Sequence, residues 1–351
     1  MKRFYILTQG CYLRKEGSVL KVMRGNNVLE EVSLEDLEQL TIVGRSSISG
    51  AVLDELIKRR IETVLITPEG RFRARLMVNE HKHVERRLKQ YLMLYNPESR
   101  GQLASIIVSA KAMNEGHLLL RRGAARNSFR LKQLGIQLKA LSDIARKERD
   151  IERLLGIEGM ASRLYFEAFR DLILVDGFFF EGRNKRPPLD PVNAMLSFVY
   201  TLLTNEVLTA LQVVGLDPYL GALHAVEYGR PSLACDLVEE WRTFLGDRLV
   251  LFLINRRIVK PDDFVYRLDN PLEKGDNEVD SRDFRPVEMK PEVMRAFIKA
   301  YEAWMLQTVK SPLSGNQLTY RQLIYDQSWR LLNWILGKEE KFDAFPWWNV
   351  I

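Results

Sequence analysis

The sequence predicts an α+β protein of two domains: a small N-terminal β-rich domain with an embedded helix, then a larger all-α C-terminal domain. Two patterns and a length lead there. The first 75 residues alternate short β-branched and aromatic runs with glycine-bearing turns. From Val84 onward, apolar residues recur with helical periodicity. A chain of 351 residues is long for one core, and its 46% hydrophobic content is ordinary for a globular protein.

In chain order, FYILTQG, VLKVMRG, NVLEEVSL, LTIVG and TVLITPEG read as strands, bounded by Gly25-Asn26-Asn27, Gly44 and Pro68-Glu69-Gly70. SISGAVLDELIKRRI, between the last two, has an apolar stripe and reads as the embedded helix. This places the first domain at 1–75. A linker is expected at 76–83, within a stretch from Arg71 to His83, and the helical domain at 84–351. Val84 to Arg149 should be long helices, with the one proline, Pro97, in the turn-like YNPESRG. In LLGIEGMASRLYFEAFRDL a helix is expected after Gly159, with Leu164, Tyr165, Ala168, Phe169 and Leu172 as its stripe and Glu158 at its entrance. FFFEGRNKRPPLDP reads as a stiff basic loop, either presenting Arg183, Lys185 and Arg186 to phosphates or serving a structural role alone. Gly229-Arg230-Pro231 should break the chain, and Ser232 should cap a helix carrying Asp236 and Glu239 in its early turns. Asp269 to Pro291 reads as irregular. The helices from Val293 to Gly337 space Trp304, Tyr320, Tyr325, Trp329 and Trp334 like core residues, and the aromatic tail FDAFPWWNVI is expected to be loose or to dock on a partner.

Several classes are disfavoured. MKRFYILTQG lacks a secretory pattern, and MLSFVYTLL, soon interrupted by Thr204, Asn205 and Glu206, reads as too short for a membrane span, so a cytoplasmic protein without a membrane partner is expected. Cys11 and Cys235, far apart, support neither a disulfide framework nor a cysteine zinc site. His81 and His83 read as linker histidines, and His117 as packed or at the surface. The net charge is +6, but residues 71–150 alone hold 18 Lys and Arg against 7 Asp and Glu, the footprint of a phosphate binder.

The chemistry gathers around His224, which precedes the break, and the acids Asp236, Glu239 and Glu240, which follow it. With Glu158, these offer hard oxygen donors and one imidazole, a set suited to Mg²⁺ or Mn²⁺. On a helical wheel Asp236 is about 60° from Glu239 and about 40° from Glu240, so periodicity does not choose among the acids.

Three motifs carry a resemblance: GIEGMASRLYF from Gly156 to Phe166, PPLDPVNAMLSFVY from Pro187 to Tyr200, and GLDPYLGALHAVEYGRPSLACDLVEEWR from Gly215 to Arg242. The chain resembles the CRISPR-associated spacer-acquisition integrases, the large DNA-cutting and DNA-joining subunit of CRISPR adaptation in prokaryotes. The resemblance implies a metal site of Glu158, His224 and Glu239, with Asp236 supporting it as outer-shell partner or proton acceptor. It implies a dimerising N-terminal domain, hence a homodimer, and a small companion subunit. The partner nucleic acid would be double-stranded or branched DNA, with Arg183, Arg186, Arg230 and Arg242 on its backbone. Lys111 and Asn114 resemble a family K-x-x-N element of open role. The implied activity joins 3′-hydroxyl ends of short duplexes to a CRISPR repeat by transesterification. The alternatives are a metal nuclease of branched DNA and a non-catalytic DNA-binding scaffold.

Overall fold

The computed structural model describes residues 2–68, 72–76, 83–184, 187–266 and 287–350. Two compact units emerge: residues 1–82 with 288–296, and residues 83–287 with 297–351.

The first unit is built on two four-stranded sheets. Its strands are β1 (Lys2–Ile6), β2 (Cys11–Glu16), β3 (Val19–Arg24), β4 (Asn27–Ser33), β5 (Leu37–Val43) and β6 (Ser46–Ile48); after helix α1 (Gly50–Lys58) come β7 (Glu62–Ile66) and β8 (Phe72–Leu76). One sheet runs β1-β5-β7-β8 and the other β4-β3-β2-β6. β5 lies parallel to both β1 and β7, pairing Leu40 with Phe4 and with Thr63, and β8 closes that sheet antiparallel. Leu13, Leu20, Leu40, Ile42, Val52 and Leu56 fill one core between the sheets and α1. The β-rich unit with an embedded helix is the expected one, but three strands escaped the sequence reading. β2 carries Arg14, Lys15 and Glu16, β6 is three residues long, and β8 falls where a linker was expected because Arg73 and Arg75 mask its alternation. Arg75 is held in the sheet by Glu62, 2.6 Å away.

The second unit is helical, with α2 (Val84–Tyr95), α3 (Pro97–Ala125), α4 (Phe129–Lys147), α5 (Ile151–Phe169) and α6 (Pro191–Val213). There follow the short α7 (Ser232–Leu237) and α8 (Glu239–Trp241), a π-helical turn at Arg242–Asp247, and α9 (Arg248–Asn255). After β9 (Phe264–Tyr266) come β10 (Val287–Met289) and α10 (Pro291–Met305), of which residues 288–296 belong to the first unit, then the hairpin strands β11 (Thr308–Lys310) and β12 (Gln317–Thr319), and α11 (Tyr320–Ile335). Asn96 caps α3, its side chain accepting from the Glu98 and Ser99 amides, and Pro97 takes the first helical position. α3 is buried along most of its length and packs on α4 and α5. It approaches α4 closely at Gly116, where an added Cβ would stand 2.9 Å from the Gly135 carbonyl. α6 is long and apolar enough to cross a membrane by length and composition, against the sequence reading of that stretch as too short. Its most apolar window is 83% buried, as a core helix requires.

Three local expectations are corrected. Glu158 lies in the middle of α5, not at a helix entrance: Asp150 caps that helix by accepting from the Arg153 amide at 2.9 Å, and the helix runs through Gly156 and Gly159. Neither glycine faces a close neighbour, so the cost of glycine in a helix is met without a packing role. Ser232 does not cap α7; its hydroxyl donates instead to the Ala225 carbonyl at 2.8 Å. The aromatic tail is packed rather than loose, with Phe342, Phe345 and Trp347 buried and Trp347 edge-on to Trp241. His81, Lys185 and Arg186, and residues 269–286 of the stretch expected to be irregular, lie outside the described residues, while the end of that stretch is ordered as strand Val287–Met289 and the start of the helix at Pro291.

Candidate active site

Helices α3, α5, α7 and α8 and the loop before α7 deliver the site. The loop wraps the buried Asp236 carboxylate, which accepts from the backbone amides of Ala222 (2.6 Å), Leu223 (3.0 Å) and His224 (3.0 Å). Gly221 makes this approach possible, since a Cβ there would stand 2.7 Å from Asp236 Oδ2. Asp236 Oδ1 also lies 2.6 Å from His224 Nδ1. A proton on Nδ1 shared with that carboxylate orients the ring and leaves Nε2 as its lone-pair nitrogen.

Glu158 and Glu239, from α5 and α8, meet at one cation. The Lys111 ammonium, buried on α3, pairs with Glu158 Oε1 and stands 3.0 Å from Glu239 Oε2. Ser162 Oγ donates to Glu158 Oε1 at 3.0 Å, and Arg242 pairs with Glu239 Oε1 at 2.7 Å. Burial works to raise the Glu239 pKa, but Arg242 and Lys111 outweigh it and bring it down to about 2. Glu158 is likewise held below the ordinary carboxylate value, Lys111 overcoming burial. Burial disfavours the Lys111 charge, yet Glu239 and Glu158 hold its pKa above the usual lysine value. Both carboxylates are therefore ionised at neutral pH, as ligands must be.

The three acids that helical periodicity left undivided go to three places. Asp236 holds His224, and Glu239 faces Lys111 and Arg242. Glu240 points away, its Oε2 accepting from the Phe345 amide at 2.9 Å and from Gln327 Nε2 at 3.3 Å. A break between α7 and α8 at Val238 and the π turn after Trp241 separate them, an irregularity common at functional sites.

A cavity of about 510 Å³ opens beside these groups, with Lys111, Glu158, Arg183, Tyr200, Arg242 and Asp247 in its lining. Two guanidinium groups stand over the Tyr200 ring, with Arg183 Cζ 5.4 Å and Arg242 Cζ 4.7 Å from its centroid. Its hydroxyl donates to Asp247 Oδ1 at 2.5 Å, and that of Tyr165 to Oδ2 at 2.8 Å. Burial still pushes the Asp247 pKa up to about 6. The sequence reading gave no role to Tyr200 or Asp247; a tyrosine inside the apolar LSFVY run was the available signal, because a buried phenol needs a partner.

The arginines assigned to DNA already have partners in the structure. Arg183 donates to Asn193 Oδ1 (2.7 Å) and Ser197 Oγ (3.0 Å), Arg230 to Glu227 Oε1 (3.1 Å), and Arg242 to Glu239. Arg183 and Arg242 thus line the cavity rather than an open face, and Arg186 lies outside the described residues.

The donor set fits a hard divalent cation in kind. Two ionised carboxylates already gather about a positive charge, and Glu239 Oε2 is buried without a well-aligned hydrogen bond. Among the described residues no three His, Cys, Asp or Glu side chains stand close enough to enclose an ion as they are; the Lys111 ammonium touches both glutamates instead.

The profile of the family described as CRISPR associated protein Cas1 matches residues 4–303 of this chain. The chain belongs to the Cas1 family. One relative is the CRISPR-associated endonuclease Cas1 3 of Thermus thermophilus, 36% identical over 343 residues that cover 97% of this chain and 96% of the relative. Two solved structures share the Cas1 fold with it. A chain of a Cas6-RT-Cas1–Cas2 complex matches with a TM-score of 0.82 at 22% identity, covering 98% of this chain and 36% of that one. A casposase bound to integration product matches with a TM-score of 0.81 at 21% identity, covering 98% and 93%.

Proposed function

We propose that this Cas1 protein is a metal-dependent DNA integrase and endonuclease of CRISPR adaptation, working in the cytoplasm of a prokaryotic cell. It joins the 3′-hydroxyl ends of a short duplex to the edge of a CRISPR repeat. The observation that carries the reading is the meeting of Glu158 and Glu239 at one buried cation, in a family whose curated relatives are named endonucleases. Glu158, Glu239 and His224 through Nε2 would hold Mg²⁺ or Mn²⁺. Such an ion supplies charge neutralisation at the phosphoryl oxygens and at the attacking and leaving oxygens.

The chain's own residues do the rest. Asp236 fixes the orientation of the His224 ring through Nδ1. Lys111 and Arg242 hold the two glutamates ionised and add positive charge to the cavity where a phosphate would enter. In the exchange, the 3′ oxygen of the short duplex loses its proton and bonds to the phosphorus carried on the 5′ oxygen at the repeat's edge, while the bond from that phosphorus to the flanking strand's 3′ oxygen breaks. That oxygen takes up a proton, so one ester replaces another and no ATP is needed. The β-rich unit is proposed to mediate a homodimer, and a small companion subunit to help hold double-stranded DNA. Support for the companion subunit and the DNA comes from two proteins of the same fold, one in a Cas6-RT-Cas1–Cas2 complex and the other a casposase bound to integration product, while the homodimer rests on the family resemblance alone.

The test is joining of a labelled duplex with free 3′ ends to a repeat-containing plasmid, with Mn²⁺, with Mg²⁺ and with chelator, companion subunit present. Glu158→Ala and His224→Ala are expected to lose joining completely while still binding DNA. A fully active variant of either kind overturns the assignment. The name endonuclease in the relatives favours a second reading, in which water replaces the 3′ hydroxyl and branched DNA is cut. Cut but unjoined target would favour it, and binding without joining or cutting under any metal would leave a scaffold.

A further inference from the structure

A second, smaller cavity of about 130 Å³ shares no lining residue with the first. It is bounded by His117, Arg121 and Arg122 of α3, by Phe244 and Arg248, and by Trp348 of the tail. Three guanidinium groups converge there with no acid in the lining, and none of the three forms an ion pair with a described carboxylate. Burial and the charges of Arg122 and Arg121 together depress the Arg248 pKa, so the cations oppose one another. Arg248 Nη1 is buried and makes no hydrogen bond, while its guanidinium is braced by the Phe244 and Trp304 rings, each centroid 5.6 Å away. The partly exposed Trp348, also in the lining, stacks on His117, with centroids 5.9 Å apart. Two exposed cations beside a half-buried one that leaves a donor unused make a setting that an anion stabilises.

We propose that this pocket is an oxyanion site that takes a single phosphate group. Its volume falls well below the roughly 300–1,000 Å³ of pockets that enclose whole ligands, so it admits a terminal group and not a nucleotide. Three forked donors favour a dianionic monoester over a singly charged backbone diester. That chemistry has two sources, free phosphate and the 5′-phosphate of a DNA end, and the second rests on the DNA-joining reading above.

The experiment is thermal unfolding of the full chain in increasing inorganic phosphate at constant ionic strength, with chloride as reference. Wild type is compared with the Arg121→Gln/Arg122→Gln double variant and with Trp348→Ala. Both arginines are exposed, so the double variant should fold, which circular dichroism checks. A saturable rise in Tm is expected for wild type, with the apparent phosphate affinity about tenfold or more weaker in the double variant. Glu158→Ala should respond to phosphate like wild type, so failure of the joining reading does not remove this signal. A duplex with 5′-phosphates is then compared with its 5′-hydroxyl counterpart in chelator. Tighter binding of the phosphorylated ends by wild type, lost in the double variant, assigns the site to DNA ends; equal binding assigns it to free phosphate. Equal phosphate responses in wild type and the double variant, or no saturable response in wild type, overturn the proposal.

Discussion

Lys111 is the residue on which the candidate site turns. Its ammonium compensates two carboxylates that would otherwise repel, Glu239 acting to raise the pKa of Glu158 and Lys111 to lower it. Removing one partner of a buried ion pair costs about 3–5 kcal/mol because the other charges stay behind. Lys111→Met is therefore expected to lower metal-free stability by that order, read in urea unfolding at neutral pH. Added Mn²⁺ should recover more stability in the variant than it adds to wild type, since a divalent ion then supplies the only positive charge between the glutamates besides Arg242. Unchanged metal-free stability would mean that Lys111 is dispensable to the pair. The sequence singled out Lys111 only as half of a K-x-x-N element, since its partner Glu158 lies 47 residues on and no local spacing joins them. Glu158, His224 and Glu239 were singled out by the motifs that carry the family resemblance, since helical periodicity alone did not choose among the acids. Tyr200 and Asp247 were not, because their meaning is a contact between residues 47 apart in sequence, made at the charged cavity they share with Arg183 and Arg242.

At the scale of elements, regular periodicity was readable and its interruptions were not. The embedded helix of the first unit and the long α3 followed from apolar stripes. The break at Val238 and the π turn at Arg242–Asp247 did not, because tertiary anchors impose them: Asp236 turns toward the loop amides, and Glu240 toward the tail. Glu240 gives this division a pH signature. Burial raises its folded pKa to about 8 despite hydrogen bonds from the Phe345 amide and Gln327. The unfolded value lies near 4.3, so the folded state holds the proton more tightly. Its contribution to stability is full below about pH 4.3 and is lost as the pH rises through about 8. Glu240→Gln keeps the shape of the protonated acid and removes that dependence. The Tm of wild type relative to Glu240→Gln should fall between pH 5 and pH 8 and level off above, while joining activity at neutral pH is retained. A constant difference across that range would refute a buried, protonated Glu240; lost joining would move Glu240 into the active site.

Across the whole molecule, charge separates in a way that divides binding from chemistry. The chain as a whole carries +6, yet residues 71–150 carry a balance of +11, and much of that excess lies on α2, α3 and α4. The acids of the candidate site sit beside this excess, paired with Lys111 and Arg242. DNA phosphates neutralised by these cations release their condensed counter-ions, so DNA affinity should fall by about 10³-fold or more between 50 and 200 mM salt if six or more phosphates are neutralised. Glu158 is an anion and neutralises none of them. Measured by fluorescence anisotropy in chelator, Glu158→Ala should bind a short duplex at least as tightly as wild type and with the same logarithmic salt slope. A slope near zero in wild type would remove the basic segment as a DNA track. A shallower slope in the variant alone would mean that a cation retained between Glu158 and Glu239 takes part in binding itself, so that capture and chemistry are not separable in this protein.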